Sequence, residues 1–290
     1  GLPGLAQHRL QHREVGHRKV ARAQSALTLK TVSKPGPGYL YGLAAYICWG
    51  FFPIYFKQLL PSSPVEILAH RVVWSAVFMA LVLTAIRRWG GIGALARSPR
   101  KLGGAALAAA LIGVNWGVYI YGVNTERIVE TSLGYFINPL ITVLLGVVLL
   151  GERLRGAQWV ALGLGAVAVT VLTVDYGRLP YIALTLAVSF GCYGLVKKRL
   201  ALHAAEGLLV ESAALAVPAS IFLGLLAARG KGTVGDVSAI HTALVLAVGA
   251  VSAVPLLFFA GAANRIPLVA LGMLQYVTPV LQLAVGVFIY

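Results

Sequence analysis

Residues Ser132–Gly146 read SLGYFINPLITVLLG, and Gly272–Gly286 read GMLQYVTPVLQLAVG. Each stretch is lipid-soluble at both ends, with a proline and hydrogen-bonding side chains at its centre. Bilayer-crossing sequence rarely carries such groups, because an unsatisfied polar atom in hydrocarbon costs several kcal/mol. On a helix, Tyr135, Asn138 and Thr142 step by three and four and share one face; 140 positions later they become Gln275, Thr278 and Gln282. Pro139 and Pro279 lack the N–H that would bond the carbonyls of Tyr135 and Gln275, so each stretch is expected to break and free a carbonyl.

The composition around these stretches sets the class. The chain has 290 residues, 59% hydrophobic and 11% charged, where a soluble domain carries about 25% charged residues. Apolar runs fall at about 39–59, 65–86, 103–124, 129–150, 157–174, 180–196, 207–227, 242–263 and 267–290. Each is suited to a hydrocarbon core about 30 Å thick, so the expectation is an all-α polytopic membrane protein with the lipid bilayer as its solvent. Short links such as PSSP, GERLRG and DYGRLP join the runs.

The net charge of +15 is read through topology. With the N-terminus in the cytoplasm, 18 of the 24 Lys and Arg lie on that side, five lie opposite and Arg71 falls inside a helix. No nucleic-acid motif accompanies the charge, and no nucleic-acid partner is expected. Residues 1–38 read as a basic, disordered tail or an upstream extension, which is preferred to a metal reading of His8, His12 and His17. Cys48 and Cys192 read as small buried hydrophobes. No metal site, cofactor or nucleophile–base pair is seen, so an enzyme is not expected.

The 140-residue displacement also aligns Lys57 with Lys197, Glu66 with Glu206, Asn124 with Asn264, Pro139 with Pro279 and Gly146 with Gly286. One period holds five helices. An odd number turns the second copy upside down, which gives two inverted five-helix repeats over 39–174 and 180–290. The fifth helix of the second copy would fall beyond Tyr290, so a ten-helix protein is expected whose tenth helix is missing from this chain.

Two such repeats bring their polar stripes together at mid-membrane. The expected solute-binding residues are Tyr135, Asn138, Thr142, Gln275, Tyr276, Thr278 and Gln282, with Asn115 and Trp49 added. Helix-to-helix hydrogen bonding around a packing kink is the alternative reading of the same residues. With no fixed positive charge in the stripes, a neutral or zwitterionic small-molecule solute is expected. Seven charged or titratable residues are candidates for gating or coupling: Glu66, His70, Arg71, Glu126, Glu130, Glu211 and Arg265. Arg71 is expected to pair with Glu126 or Glu130 at the outer side, and Glu211 with Arg265 at the inner. Snorkelling residues paired for stability give the competing account. A proton as coupling ion and a second copy of the chain as partner stay open.

The stretches AYICWGFFPIYFK (Ala45 to Lys57), EILAHRVVWS (Glu66 to Ser75), NWGVYIYGVN (Asn115 to Asn124), ETSLGYFINPL (Glu130 to Leu140), LLGERL (Leu149 to Leu154) and LQYVTPVLQ (Leu274 to Gln282) resemble the RarD-type permeases of the drug/metabolite transporter superfamily, with paired EamA domains. The resemblance runs from about Tyr39 to the end. It implies ten helices in two inverted halves and a permease or exporter of the bacterial inner membrane, moving a small metabolite or drug by alternating access. The family name is linked to chloramphenicol sensitivity. A channel-like facilitator and a non-transporting sensor or scaffold are the other classes.

Overall fold

The computed structural model describes residues 36–125, 127–177 and 179–289. The basic tail lies outside them, as do Glu126 and Arg178. Twelve helices follow one another among the described residues: α1 Pro37–Gly50, α2 Phe52–Lys57, α3 Pro64–Ala85, α4 Trp89–Ala96, α5 Pro99–Asn124, α6 Ile128–Leu150, α7 Gly156–Tyr176, α8 Tyr181–Leu200, α9 Ala204–Ala228, α10 Ala239–Ala263, α11 Leu268–Leu274 and α12 Val277–Phe288.

Among the described residues six segments are long and apolar enough to cross a membrane: Pro37–Lys57, Pro64–Ala85, Pro99–Gly122, Glu130–Leu150, Ala204–Ala228 and Ala239–Ala263. The other three expected runs fall on α7, on α8 and on the pair α11–α12. Helix α8 is less apolar because its last turn holds Lys197, Lys198 and Arg199.

Local chemistry sets the boundaries. Pro64 occupies the first turn of α3, where its missing N–H costs nothing, and the Ser63 hydroxyl accepts the Glu66 N–H at 3.2 Å. Ser238 caps α10 in the same way, accepting the His241 N–H at 3.0 Å. Gly151 stops α6 in the left-handed conformation, with φ 65°.

The two proline-bearing stretches behave differently. Helix α6 runs unbroken through Pro139, which corrects the expected break there. A lone proline removes one hydrogen bond, and the turns on either side carry the helix on. The second stretch does break, at Gln275 and Tyr276, between α11 and α12. The Gln275 carbonyl is not free, however: it accepts the Thr278 N–H at 3.2 Å, a tighter turn that substitutes for the donor Pro279 lacks.

The helices pair in recurring combinations. Helices α3, α5 and α6 begin at residues 64, 99 and 128; α9, α10 and α11 begin at 204, 239 and 268. Contacts follow the same displacement: α1 packs on α10 as α8 packs on α5, and α3 on α10 as α9 on α5. Small residues allow the closest approaches. A Cβ at Gly249 of α10 would strike the backbone of Trp74 and Ser75 in α3, and one at Gly272 of α11 would lie 3.2 Å from the Pro139 carbonyl of α6. The main core holds Tyr46, Met79, Leu83, Ile112, Tyr193, Leu256, Phe259 and Leu271.

Candidate functional site

A cavity of about 430 Å³ lies where α1, α3, α5, α6, α8 and the α11–α12 break converge. That is within the usual range of small-molecule sites, roughly 300–1,000 Å³. Its floor holds Asn138 of α6 beside Gln275, Thr278, Pro279 and Gln282 of the broken helix. Its walls are largely aromatic, with Trp49, Phe52, Phe56, Trp116, Tyr119, Tyr135 and Phe190. From the floor the lining runs to Leu60, Ser62 and Pro64, at the end of the molecule where α3 begins.

Of the residues expected to bind solute, Tyr135, Asn138, Gln275, Thr278, Gln282, Asn115 and Trp49 line this space. Thr142 and Tyr276 do not. Thr142 is buried against Gly272, its hydroxyl without a partner, and the Tyr276 hydroxyl points at Gly165 of α7. Helical spacing explains the second departure: Tyr276 is one position on from Gln275 and so points about 100° away from the face that Gln275, Thr278 and Gln282 share.

The polar lining divides by role. The Asn115 amide donates to the Leu186 carbonyl at 2.8 Å and to Ser189 Oγ at 3.0 Å, tying α5 to α8. Thr278 donates to the Tyr46 carbonyl at 2.9 Å and Gln282 Nε2 to the Trp49 carbonyl at 3.1 Å, tying α12 to α1. Asn138 Oδ1 and Gln275 Oε1 are buried with no donor. The alternative reading, helix-to-helix bonding, thus describes three of these residues, while Asn138 and Gln275 keep unused hydrogen-bonding capacity.

Arg71 was placed at an outer gate by sequence, and here it lines the cavity. Its guanidinium carbon stands 4.2 Å from the centre of the Trp116 ring, and its buried Nε has no acceptor. Tyr119 and Tyr135, edge to face at 6.2 Å, stand in its field. The stripes themselves lack a positive charge, as the sequence reads, but Arg71 on the neighbouring helix α3 brings one into the lining.

The remaining charged candidates lie at the two ends. Glu66 is buried and accepts the Thr233 N–H at 2.7 Å and its hydroxyl at 3.0 Å, pinning α3 to the segment before α10. Ser62 Oγ, 2.6 Å from Thr233 Oγ1, and His241, bonded to Ser62 and to the Leu59 carbonyl, close the same end. His70 accepts from Trp74 Nε1 along its own helix. Glu130 caps α8, accepting the Ile182 N–H at 2.8 Å. It is not paired with Arg71; the other proposed partner, Glu126, lies outside the described residues.

At the opposite end Glu211 binds Lys197 Nζ at 2.7 Å and the Tyr193 hydroxyl at 2.9 Å. Its expected partner Arg265 instead donates to the Gly261 carbonyl and lies over the Tyr41 ring, 5.1 Å from its centre. The reason is local: Lys197, in the last turn of α8, and Glu211, about two turns into α9, flank the short link 201–203. Glu152 accepts the Leu268 and Val269 N–H groups at 2.8 and 2.7 Å, holding α11 at this end.

A polytopic helical protein of the membrane, enclosing an aromatic and amide-lined cavity, belongs to the class of small-molecule transporters by its likeness to known proteins. Residues 36–174 match the EamA-like transporter family. Protein RarD of Streptomyces exfoliatus is 52% identical over 262 residues, 90% of this chain and 83% of that protein. Protein RarD of Escherichia coli is 42% identical over 253 residues, covering 87% and 86%. A relative from Bacillus subtilis, named as the uncharacterized transporter YojE, is 44% identical over 87% of this chain and 85% of its own. A solved structure with 20% identity superposes with a TM-score of 0.66 over 88% of both chains and shares the fold. The chain belongs to the RarD-type permeases of the EamA-like transporter family, and is a multi-pass protein of a bacterial membrane.

Proposed function

We propose that this protein is a secondary carrier that moves a small organic solute by alternating access between two inverted five-helix halves, with its N-terminus in the cytoplasm. One observation carries the reading. Side chains from both proline-bearing stretches, Asn138 from one and Gln275, Thr278 and Gln282 from the other, line a single cavity. The helix starts at 64, 99 and 128 against 204, 239 and 268 support two copies of one unit, and inversion of such copies gives two near-equal states that open to opposite sides.

The hydrogen-bonded ends supply natural closures. Ser62, Thr233 and Glu66 serve at one, and Glu211, Lys197 and Tyr193 at the other. Ser62→Cys with Thr233→Cys, in a background lacking Cys48 and Cys192, should form a disulfide that arrests solute counterflow in proteoliposomes, and reductant should restore it. Counterflow unaffected by the closed disulfide would contradict alternation at this end. Flux without counterflow would identify a channel-like facilitator instead.

A further inference from the structure

We infer that the solute is an aromatic monocarboxylate bearing a hydrogen-bond donor, held by its carboxylate on Arg71. This rests on the carrier reading and names the chemistry of its cavity. Among the described residues Arg71 is the sole charged one in the lining. An ionised side chain inside a membrane protein needs a compensating partner, because desolvating it alone costs several kcal/mol. Among the described residues no carboxylate supplies one. Glu66 is held by Thr233 and Glu130 by the start of α8. Three ion pairs among the described residues, Arg88–Glu206, Lys197–Glu211 and Lys198–Glu152, do not include Arg71.

The face of Trp116 stabilises the guanidinium by about 1–2 kcal/mol, short of that cost, and leaves its fork of N–H donors unmatched. A carboxylate matches that fork in charge and geometry. One cation balances one negative charge, so a dianion would leave a charge unpaired in a low-dielectric cavity. The aromatic walls suit a ring, and Asn138 and Gln275 in the lining, whose buried carbonyl oxygens lack a donor, turn to accept a hydroxyl or N–H at its far edge. Among the described residues no Asp or Glu lines the space to receive an ammonium group, which disfavours amines and places zwitterions behind simple acids.

A matched series tests this on the full-length purified protein: 4-hydroxyphenylacetate, its uncharged amide, tyrosine and tyramine, with binding read from tryptophan fluorescence. The acid should bind at least about tenfold more tightly than the amide, tyrosine should fall between, and tyramine should be weakest. In Arg71→Gln the acid-to-amide ratio should collapse to about one, while Arg71→Lys should retain part of it. An amide that matches the acid, a tyramine that exceeds it, an unchanged ratio in Arg71→Gln, or no binding by any of the four overturns the assignment. The ratio on the unaltered protein stands as a test even if Arg71→Gln does not fold. Arg71-dependent binding without counterflow of the acid would overturn the carrier reading and leave the anion site standing; counterflow of an uncharged solute with no acid preference would do the reverse.

Discussion

At the scale of single residues, the buried pair Lys197–Glu211 shows how strongly a charge depends on its immediate neighbour. Both side chains are almost wholly inaccessible, at 6% and 2% exposure. Removing one member leaves an uncompensated charge, at about 3–5 kcal/mol, whereas replacing both with apolar residues of similar size is often neutral or better. Lys197→Met should therefore lower the unfolding temperature in detergent more than Lys197→Met with Glu211→Leu does. A double variant less stable than the single would show that the pair contributes net stability of its own. Sequence assigned Glu211 to Arg265 because both were expected at the inner side of the membrane. The pairing with Lys197 comes instead from the corner between α8 and α9, where the two residues flank a three-residue link. Arg71 was hidden for a related reason: its neighbours Trp116 and Tyr135 lie on α5 and α6, and only the assembled bundle puts them beside it.

At the scale of elements, close helix crossings depend on glycines whose role no hydropathy pattern reveals. Gly249 lets the backbones of α10 and α3 meet, and the Ser75 hydroxyl donates to its carbonyl at 3.0 Å. A methyl there meets backbone, which cannot yield as a flexible side chain does. Gly249→Ala should cost about 1–3 kcal/mol by overpacking, read as lower thermal stability and reduced yield of monodisperse protein. Gly163→Ala, on open surface of α7, is the control and should leave both unchanged. Equal behaviour of the two would refute the crossing as described. The proline stretches give the complementary lesson. Their polar residues were legible as a stripe because helical spacing fixes which side chains share a face. Which proline breaks its helix was not, since both stretches carry similar local chemistry and only the second is interrupted.

At the scale of the whole molecule, the membrane class and the repeating order of helices were open in the sequence, because apolar length and a constant displacement need no tertiary knowledge. The pairing of end residues shows the same order. Glu66 of α3 grips Thr233 ahead of α10, and Glu206 of α9 pairs with Arg88 ahead of α5 at 3.0 Å. Seven of the nine residues expected around a solute do line one cavity. What sequence missed is the charge inside it, Arg71, which comes from a helix outside both stripes. An account built on two halves sharing one site is tested most directly by cysteine accessibility. With Cys48 and Cys192 replaced, Asn138→Cys and Gln282→Cys should each react with a membrane-impermeant thiol reagent added from either side of oriented vesicles, and one bound solute should protect both. Should either position react from one side alone, or should a solute shield one and leave the other unchanged, the two stretches would not share an alternating site.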